Sequence, residues 1–336
     1  MPYVIFGGRG MDKVKIGFIG TGGIANAHLN QLARMEDVII TALCDVVKEK
    51  AESAAKAFGG KVYVNYHDML EKERLDALYI CVPPFAHKDQ EVLACRKKIP
   101  FFVEKPVALS VEKAREVEKA VKKSGVITSV GYVLRYMDIV EKSEKVLGGK
   151  PLGLITGSYF GVVPATNWII KKKQSGGQLV EQATHIVNLM LHFGGEVTEV
   201  SSRAFSGLIK KRIPGYEVED ASTTIIKFKN GTIGNITCTW MSFGFNSSLD
   251  LVADSLEIKW EPITTMQVIT QEKKEIYNVS NDFAFAEHRA FVDAVKSGTK
   301  GRILSDYSDG ARTLEVTLAA LKSMETGETV KIIRTT

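Results

Sequence analysis

Between Lys13 and about residue 130 the chain repeats one phrase: a short β-branched run, a Gly, Asp or Pro punctuation, then a segment with helical period. The runs are VKIGFIG, VIITALCD, KVYV, ALYICVPP, FFVEKP and VITSVG. The intervals include SVEKAREVEKAVKKSG, with Ser110 as its N-cap, Lys113 at the third helical position and Gly125 past its end. Strands alternating with helices of this length need crossover connections, which make the strands parallel and cover the sheet on both faces. A doubly wound α/β sheet is expected for this part of the chain.

In such sheets ligands bind beyond the carboxyl ends of the strands, near the point where strand order reverses. The first run is followed by GTGGIANAH, which supplies Gly20-x-Gly22-x-x-Ala25 between a strand and a helix. Glycines there admit a pyrophosphate to the backbone and to the unpaired N–H groups of the helix start. Asp45, closing the second run, is placed to accept from both ribose hydroxyls. A carboxylate there repels a 2′-phosphate, and no arginine follows it in CDVVKEK, although Lys48 offers partial compensation. NAD is therefore expected ahead of NADP. The candidate cofactor contacts are Gly20, Thr21, Gly22, Gly23 and Ile24, then Asp45, then Val82, Pro83 and His87, with Glu104 and Lys105 after the fifth run. Pro83 and Pro84 end the fourth strand and His87 is expected to open the next helix; a helix-start histidine without a role is an equal reading.

After about residue 132 the pattern changes to longer alternating strands. STTIIKFKNGTIGNITCTW reads as a hairpin through Asn230-Gly231, and an antiparallel sheet follows. Further strands are expected near 152–163, 196–206, 248–260 and 265–278, with helices near 283–297 and 308–323. One helix is expected over 176–195, GGQLVEQATHIVNLMLHFGG. Leu179, Ala183, Ile186, Val187 and Met190 fall on one of its faces; Glu181, His185, Asn188 and His192 fall on the other, with Glu181 and His185 one turn apart. The division drawn is 11–131 for an NAD(P)-binding domain and 132–336 for a substrate and oligomer domain.

Composition narrows the function classes. A net charge of +5 spread through 44 basic and 39 acidic residues is no nucleic-acid footprint, and Lys171–Lys173 and Lys210–Arg212 read as solvated loop charges, with attraction of an anionic ligand as the alternative. The four cysteines form no CxxC pair and sit mostly in apolar runs, as buried free thiols in a reducing compartment, the cytoplasm, would. No stretch reaches ~18 apolar residues, so no membrane partner is expected. No metal is expected, since the histidine stripe lacks further ligands, and the GxSxG elbow of nucleophilic hydrolases is missing. Residues 1–10 precede a second methionine, Met11, which leaves open whether they are native.

The glycine turn, Asp45, CVPPFAH, VEKPVALS and SGGQLVEQATH, in this order and spacing, resemble the Gfo/Idh/MocA family of oxidoreductases, over nearly the whole chain. The resemblance implies an N-terminal Rossmann domain and a C-terminal α/β domain with a large, mostly antiparallel sheet often used in oligomer contacts, as a homodimer or homotetramer. It also implies NAD(P)-linked oxidation of a carbinol on a sugar or cyclitol. The family's motif lysine corresponds to Lys105 and its helix histidine to His185. Where that family commonly has Asp one turn before the histidine, this chain has Glu181, and where another acid often follows by three, it has Asn188. Oxidising a secondary alcohol needs a donor to the developing alkoxide and a base for the hydroxyl proton, and Lys105 and His185 fit those tasks, with Glu181 orienting the imidazole. By family position Tyr132, Arg135, Tyr136 and Trp168 are contacts to substrate hydroxyls or to the nicotinamide carboxamide, with domain-junction packing as an equal alternative. Two other readings stay open: an NAD-dependent glycosidase working by transient oxidation, and a non-catalytic NAD or sugar sensor.

Overall fold

The computed structural model describes residues 13–333, so Met11 and the residues before it lie outside the described range. Six parallel strands build the first sheet: β1 (Val14–Ile19), β2 (Val38–Cys44), β3 (Lys61–Tyr63), β4 (Ala77–Ile80), β5 (Phe101–Val103) and β6 (Thr128–Val130). Their order is β3-β2-β1-β4-β5-β6, which reverses between β1 and β4 as a doubly wound sheet must. Ile16, Phe18, Leu78, Tyr79, Phe101 and Phe102 are wholly buried, consistent with strands that read as apolar on both faces. The covering helices are α1 (Gly23–Leu32), α2 (Lys48–Phe58), α3 (Tyr66–Lys72), α4 (Gln90–Lys97) and α5 (Val111–Ser124). Ser110 Oγ accepts from the Lys113 N–H at 3.2 Å, and Gly125 ends α5 at a φ of +68°.

His87 does not open a helix. Pro84–Ala86 form a short 3-10 turn and the chain extends at His87, while α4 starts at Gln90, whose Oε1 accepts from the Lys88 N–H at 2.6 Å.

The second part comprises α6 (Asp138–Leu147), β7 (Leu152–Val162), α7 (Lys172–Ser175), α8 (Gln178–Glu181), α9 (Thr184–Gly194), β8 (Val197–Phe205), β9 (Ala221–Phe228) and β10 (Ile233–Thr239). There follow β11 (Met241–Ala253), β12 (Leu256–Trp260), β13 (Thr265–Ile269), β14 (Lys274–Asn278), α10 (Phe283–Ser297), α11 (Tyr307–Thr326) and β15 (Val330–Lys331). Nine strands pair in the order β14-β13-β12-β11-β7-β10-β9-β8-β15. All neighbours are antiparallel except β7 and β10. Gly231 sits at a φ of +94° in the β9–β10 turn, as the Asn-Gly signal requires.

Three expectations are corrected. The strand expected at 248–260 is the end of β11 and all of β12, folded back where Ser255 takes a φ of +57°. The one expected at 265–278 is likewise a hairpin, β13–β14, closed by a Thr270–Lys273 turn. The helix expected over 176–195 is two helices. Gly176 and Gly177 both hold positive φ, so helical structure starts only at Gln178. The Gln178 carbonyl then accepts from both Gln182 and Ala183, which inserts an extra residue into the turn, and the His185 N–H goes to Gln182 O at 3.3 Å. The Gln182 side chain is fixed by Trp240, whose Nε1 donates to its Oε1 at 2.8 Å.

Even so, Leu179, Ala183, Ile186, Val187 and Met190 all enter the core beneath the large sheet, where Gly157 lets Ile186 approach. The last two helices return to the parallel sheet. Phe291 of α10 packs with Ile16 and Phe18, and Tyr307, Ala311 and Leu314 of α11 pack with Phe101 and Val130. Val316 and Ala320 of α11 also enter the core of the large sheet, so this helix joins the two parts through buried side chains.

Gly20 joins β1 to α1 at a φ of +88°, and a Cβ there would lie 2.4 Å from the Cys81 carbonyl oxygen. Gly23 has open space instead. Gly20→Ala should lower the thermal midpoint by several degrees, a cost of roughly 2–4 kcal/mol from strain and collision, whereas Gly23→Ala should stay within about 0.5 kcal/mol. Thermal melts of the two variants beside the parent check this.

Candidate active site

A cleft of about 670 Å³ opens at the carboxyl ends of the parallel strands and is lined from both parts of the chain. At one end lie Gly20, Gly22, Gly23 and Ile24, with Asp45, Val46, Val47 and Lys50 beside them. Nothing stands within 4 Å of where a Cβ would be on Gly22 or Gly23, so the backbone of the α1 start is open to an incoming group. No acidic side chain occupies the first turn of α1, and no side chain caps it. This is the arrangement in which unpaired N–H groups meet a phosphate. Thr21 is buried and does not line the cleft; its N–H and Oγ1 donate to Asp45 Oδ2 at 2.9 and 3.1 Å. Asp45 Oδ1 accepts from the Val47 N–H at 2.9 Å, so the carboxylate is fixed at the cleft edge. The free cradle, the uncapped helix and a fixed acid with no arginine beside it fit NAD.

Val82 and Pro83 line the middle of the cleft, as do Phe85, Trp168 and Thr166. The Phe85 and Trp168 rings approach from the two parts of the chain, with centroids 6.2 Å apart. His87 does not line it. Its Nδ1 is turned to Glu91 Oε1, both side chains are buried, and its Nε2 has no partner.

At the far end stand Glu104, Lys105 and Glu181. Lys105 follows the last residue of β5 by two and precedes Pro106 through a cis peptide. Its Nζ donates to the Glu181 carbonyl oxygen at 2.6 Å and to Glu181 Oε1 at 3.1 Å. The carbonyl is available because the His185 N–H, its partner in a regular helix, is taken by Gln182. An ammonium has three N–H groups, so one is left for a ligand. Glu181 Oε2 is buried and without a partner. Glu104, expected beside the cofactor, has its Oε1 2.7 Å from His28 Nε2, while its Oε2 accepts from the Lys105 N–H at 3.0 Å.

His185 is not among the cleft-lining side chains. Its ring meets Tyr132 edge-on at 5.9 Å, and its Nδ1 is buried without a partner. Burial and then the Lys105 charge push its pKa down to about 3, against the opposing pull of Glu104. The imidazole is therefore neutral at physiological pH.

The rest of the expected stripe scatters. Asn188 donates to Asp309 and Thr313 and accepts from Arg135 at 3.3 Å, and His192 pairs with Glu144. Tyr132 and Arg135 are buried at the junction, away from the cleft wall; the Tyr132 hydroxyl lies 3.0 Å from Thr184 Oγ1. Lys171 and Lys172 are not merely solvated, since they pair with Glu217 and Glu219 at 2.9 and 2.7 Å. All four cysteines are free and buried, and burial pushes the cleft-lining Cys44 up to about 12, which leaves it no role as a nucleophile.

Phe85, Thr166 and Gln182 were not singled out from the sequence. Phe85 lay inside CVPPFAHK with nothing to separate it from a core aromatic, and the role of Gln182 depends on Trp240, which is remote in sequence.

Residues 14–132 match the family model described as an oxidoreductase family with an NAD-binding Rossmann fold, and residues 149–258 match the Gfo/Idh/MocA C-terminal domain. The chain is 25% identical to myo-inositol 2-dehydrogenase of Thermotoga maritima, covering 95% of this chain and 98% of that one. It is 26% identical to the NAD-dependent scyllo-inositol 2-dehydrogenase of Bacillus subtilis, covering 95% and 96%. Levoglucosan dehydrogenase, solved with NADH and L-sorbose, shares the fold at a TM-score of 0.87 and 19% identity, covering 97% and 100%. With both family models matched over most of the chain, and with a cleft that fits the dinucleotide, the protein belongs to the Gfo/Idh/MocA family of NAD-binding oxidoreductases.

Proposed function

We propose that the protein oxidises a secondary alcohol of a sugar, cyclitol or related polyol, with Lys105 and His185 at the reaction centre. The observation that carries this reading is the single uncommitted N–H of Lys105 at a cleft that also holds an unpartnered buried carboxylate oxygen, Glu181 Oε2. Bound NAD would supply a hydride acceptor. Lys105 donates to the substrate oxygen as negative charge develops there, and it does so from a fixed position because Glu181 holds two of its three N–H groups. His185, neutral and with Nδ1 free, accepts the hydroxyl proton, and the Glu104 charge favours the imidazolium formed. Glu181 Oε2 accepts from a neighbouring hydroxyl, and the Phe85–Trp168 pair gives an apolar wall along the cleft. A second reading, in which Glu181 takes the proton, is favoured by its place on the cleft wall, which His185 lacks.

Residues 11–131 are assigned to cofactor binding, and 132–336 to substrate binding and assembly. Leu154, Ile225 and Ile233 share the uncovered face of the large sheet, with Leu154 registered directly against Ile233, and all three are exposed. This face suits a homodimer or homotetramer. Among the described residues no helix is long and apolar enough to cross a membrane. The cytoplasm is the proposed compartment.

NADH formation with a panel of aldoses, cyclitols and sugar acids tests the reaction. Lys105→Ala should lower turnover about a hundredfold or more, near the loss of one oxyanion donor. His185→Ala should lower it at least as far as Glu181→Gln does; the reverse order selects the second reading, and parental rates in both Lys105→Ala and His185→Ala would sink the mechanism. Sugar release from a chromogenic glycoside without net NADH would point to the glycosidase, and tight sugar binding without turnover to the sensor.

Asp45 should favour NAD over NADP by roughly tenfold or more in kcat/KM, and Asp45→Ala should narrow that gap. A widened gap in the variant would contradict the placement of the ribose.

His185 also predicts a pH effect on stability. Its folded pKa of about 3 lies below the ordinary 6.5, so its contribution is complete above pH 6.5 and is lost as pH falls toward 3. After allowance for its partial exposure, the loss is roughly 1–3 kcal/mol. Thermal midpoints across that range should therefore fall less steeply in His185→Asn than in the parent.

A further inference from the structure

A line of buried polar side chains runs away from the reaction centre into the core. Glu104 Oε1 lies 2.7 Å from His28 Nε2, His28 Nδ1 lies 3.0 Å from His288 Nε2, and His288 Nδ1 lies 3.1 Å from the Tyr79 hydroxyl. None of the four is more than 7% exposed. They come from three distant stretches: His28 from α1, Tyr79 and Glu104 from β4 and the end of β5, and His288 from α10.

The chemistry of the ends sets the direction of the whole line. Tyr79 supplies the hydroxyl proton at one end, while Glu104 already accepts the Lys105 N–H at the other and has only acceptor sites to offer when ionised. The one-way solution is Tyr79 O–H to His288 Nδ1, His288 Nε2–H to His28 Nδ1, and His28 Nε2–H to Glu104, with both imidazoles neutral. Burial holds His288 well below its ordinary value, in keeping with a neutral ring. Burial alone would raise Glu104; the His28 hydrogen bond and the Lys105 charge oppose it, and the carboxyl stays below its ordinary value. Room for the carboxylate is built in, because a Cβ on Gly131 would lie 2.7 Å from Glu104 Oε1.

We propose that His28 and His288 are positioning residues for the oxidoreductase reaction: they hold Glu104 as a fixed anion, and through it they fix the backbone of Lys105 and balance its charge. The line ends in the core at Tyr79, so it serves as an anchor and carries no proton to solvent. His28 lies on the helix that starts at the NAD-binding turn, and His288 belongs to the chain's C-terminal part, so three separate elements converge on the motif lysine. The proposal rests on the role given to Lys105, and its first test needs no substrate.

Nitrogen-15 spectra of selectively labelled histidines in the full-length protein, assigned by His→Gln variants, read tautomers directly. Both His28 and His288 should carry a single proton, on Nε2, and His288 should keep that form as the pH is lowered. A doubly protonated His28, or an Nδ1–H tautomer at either residue, overturns the relay whatever the substrate proves to be.

The kinetic test, on any substrate that turns over, uses the pH dependence of kcat. The groups facing Glu104 are His28, Lys105, His185, Glu287, Cys81 and Tyr132, and only His28 is altered. His28→Leu should lower kcat roughly tenfold with little change in KM for NAD, and should move the acid limb up by about one pH unit as Glu104 begins to protonate. His28→Gln, which keeps a donor for Glu104, should restore the limb. Glu104→Gln and the double variant His28→Leu/Glu104→Gln should both lack the shifted limb, because no carboxyl remains to titrate. Equal losses in His28→Leu and His28→Gln, or a shifted limb that persists in the double variant, would refute the proposal.

Discussion

The contact between Lys105 and Glu181 is the point on which the cleft depends. Lys105 lies two residues past a strand of the parallel sheet, and Glu181 ends a one-turn helix of the second part, so their two hydrogen bonds fix one wall of the cleft against the other. The neighbouring Val180 packs into the core of the first sheet, while Leu179 packs beneath the second. Such apolar anchoring on both sides means that a long, flexible ammonium is held without help from solvent. An unrestrained lysine would lose rotamer entropy on meeting any ligand; in the role proposed for Lys105 much of that cost falls on folding instead.

The charges around the lysine are few and closely set. Glu104 and Glu181 flank Lys105, and His185 stays neutral because burial and the ammonium both disfavour a second positive charge. Isolated buried charges are costly, so each member of such a group is tolerable mainly because the others are present. Removing one would be felt at all of them, which is why single substitutions there should behave non-additively.

What the sequence made legible was local. The glycine turn, Asp45 at a strand end and the capping of α5 by Ser110 and Gly125 all depend on residues a few positions apart, and the parallel strands follow from runs with one clear period. The reaction end was legible in its residues but not in its backbone. Glu181 and His185 have helical spacing, yet the helix is interrupted between them, where Trp240 holds the Gln182 side chain and Lys105 takes the Glu181 carbonyl, both from far along the chain. His87 looked well placed for the cofactor, but Glu91 one turn later turns it inward. His28 and His288 are 260 positions apart, and no periodicity could have paired them.

The interruption after Glu181 also bears on how this position can vary. The shorter of the two bonds to Lys105 comes from the main chain, which every amino acid possesses. The lysine's anchorage is thus partly independent of the identity of residue 181, and the side chain there is free to lengthen or shorten as the ligand demands. On the proposed mechanism, a glutamate at 181 in place of the aspartate that the family resemblance leads one to expect is a change of reach toward the ligand, made without letting go of the lysine.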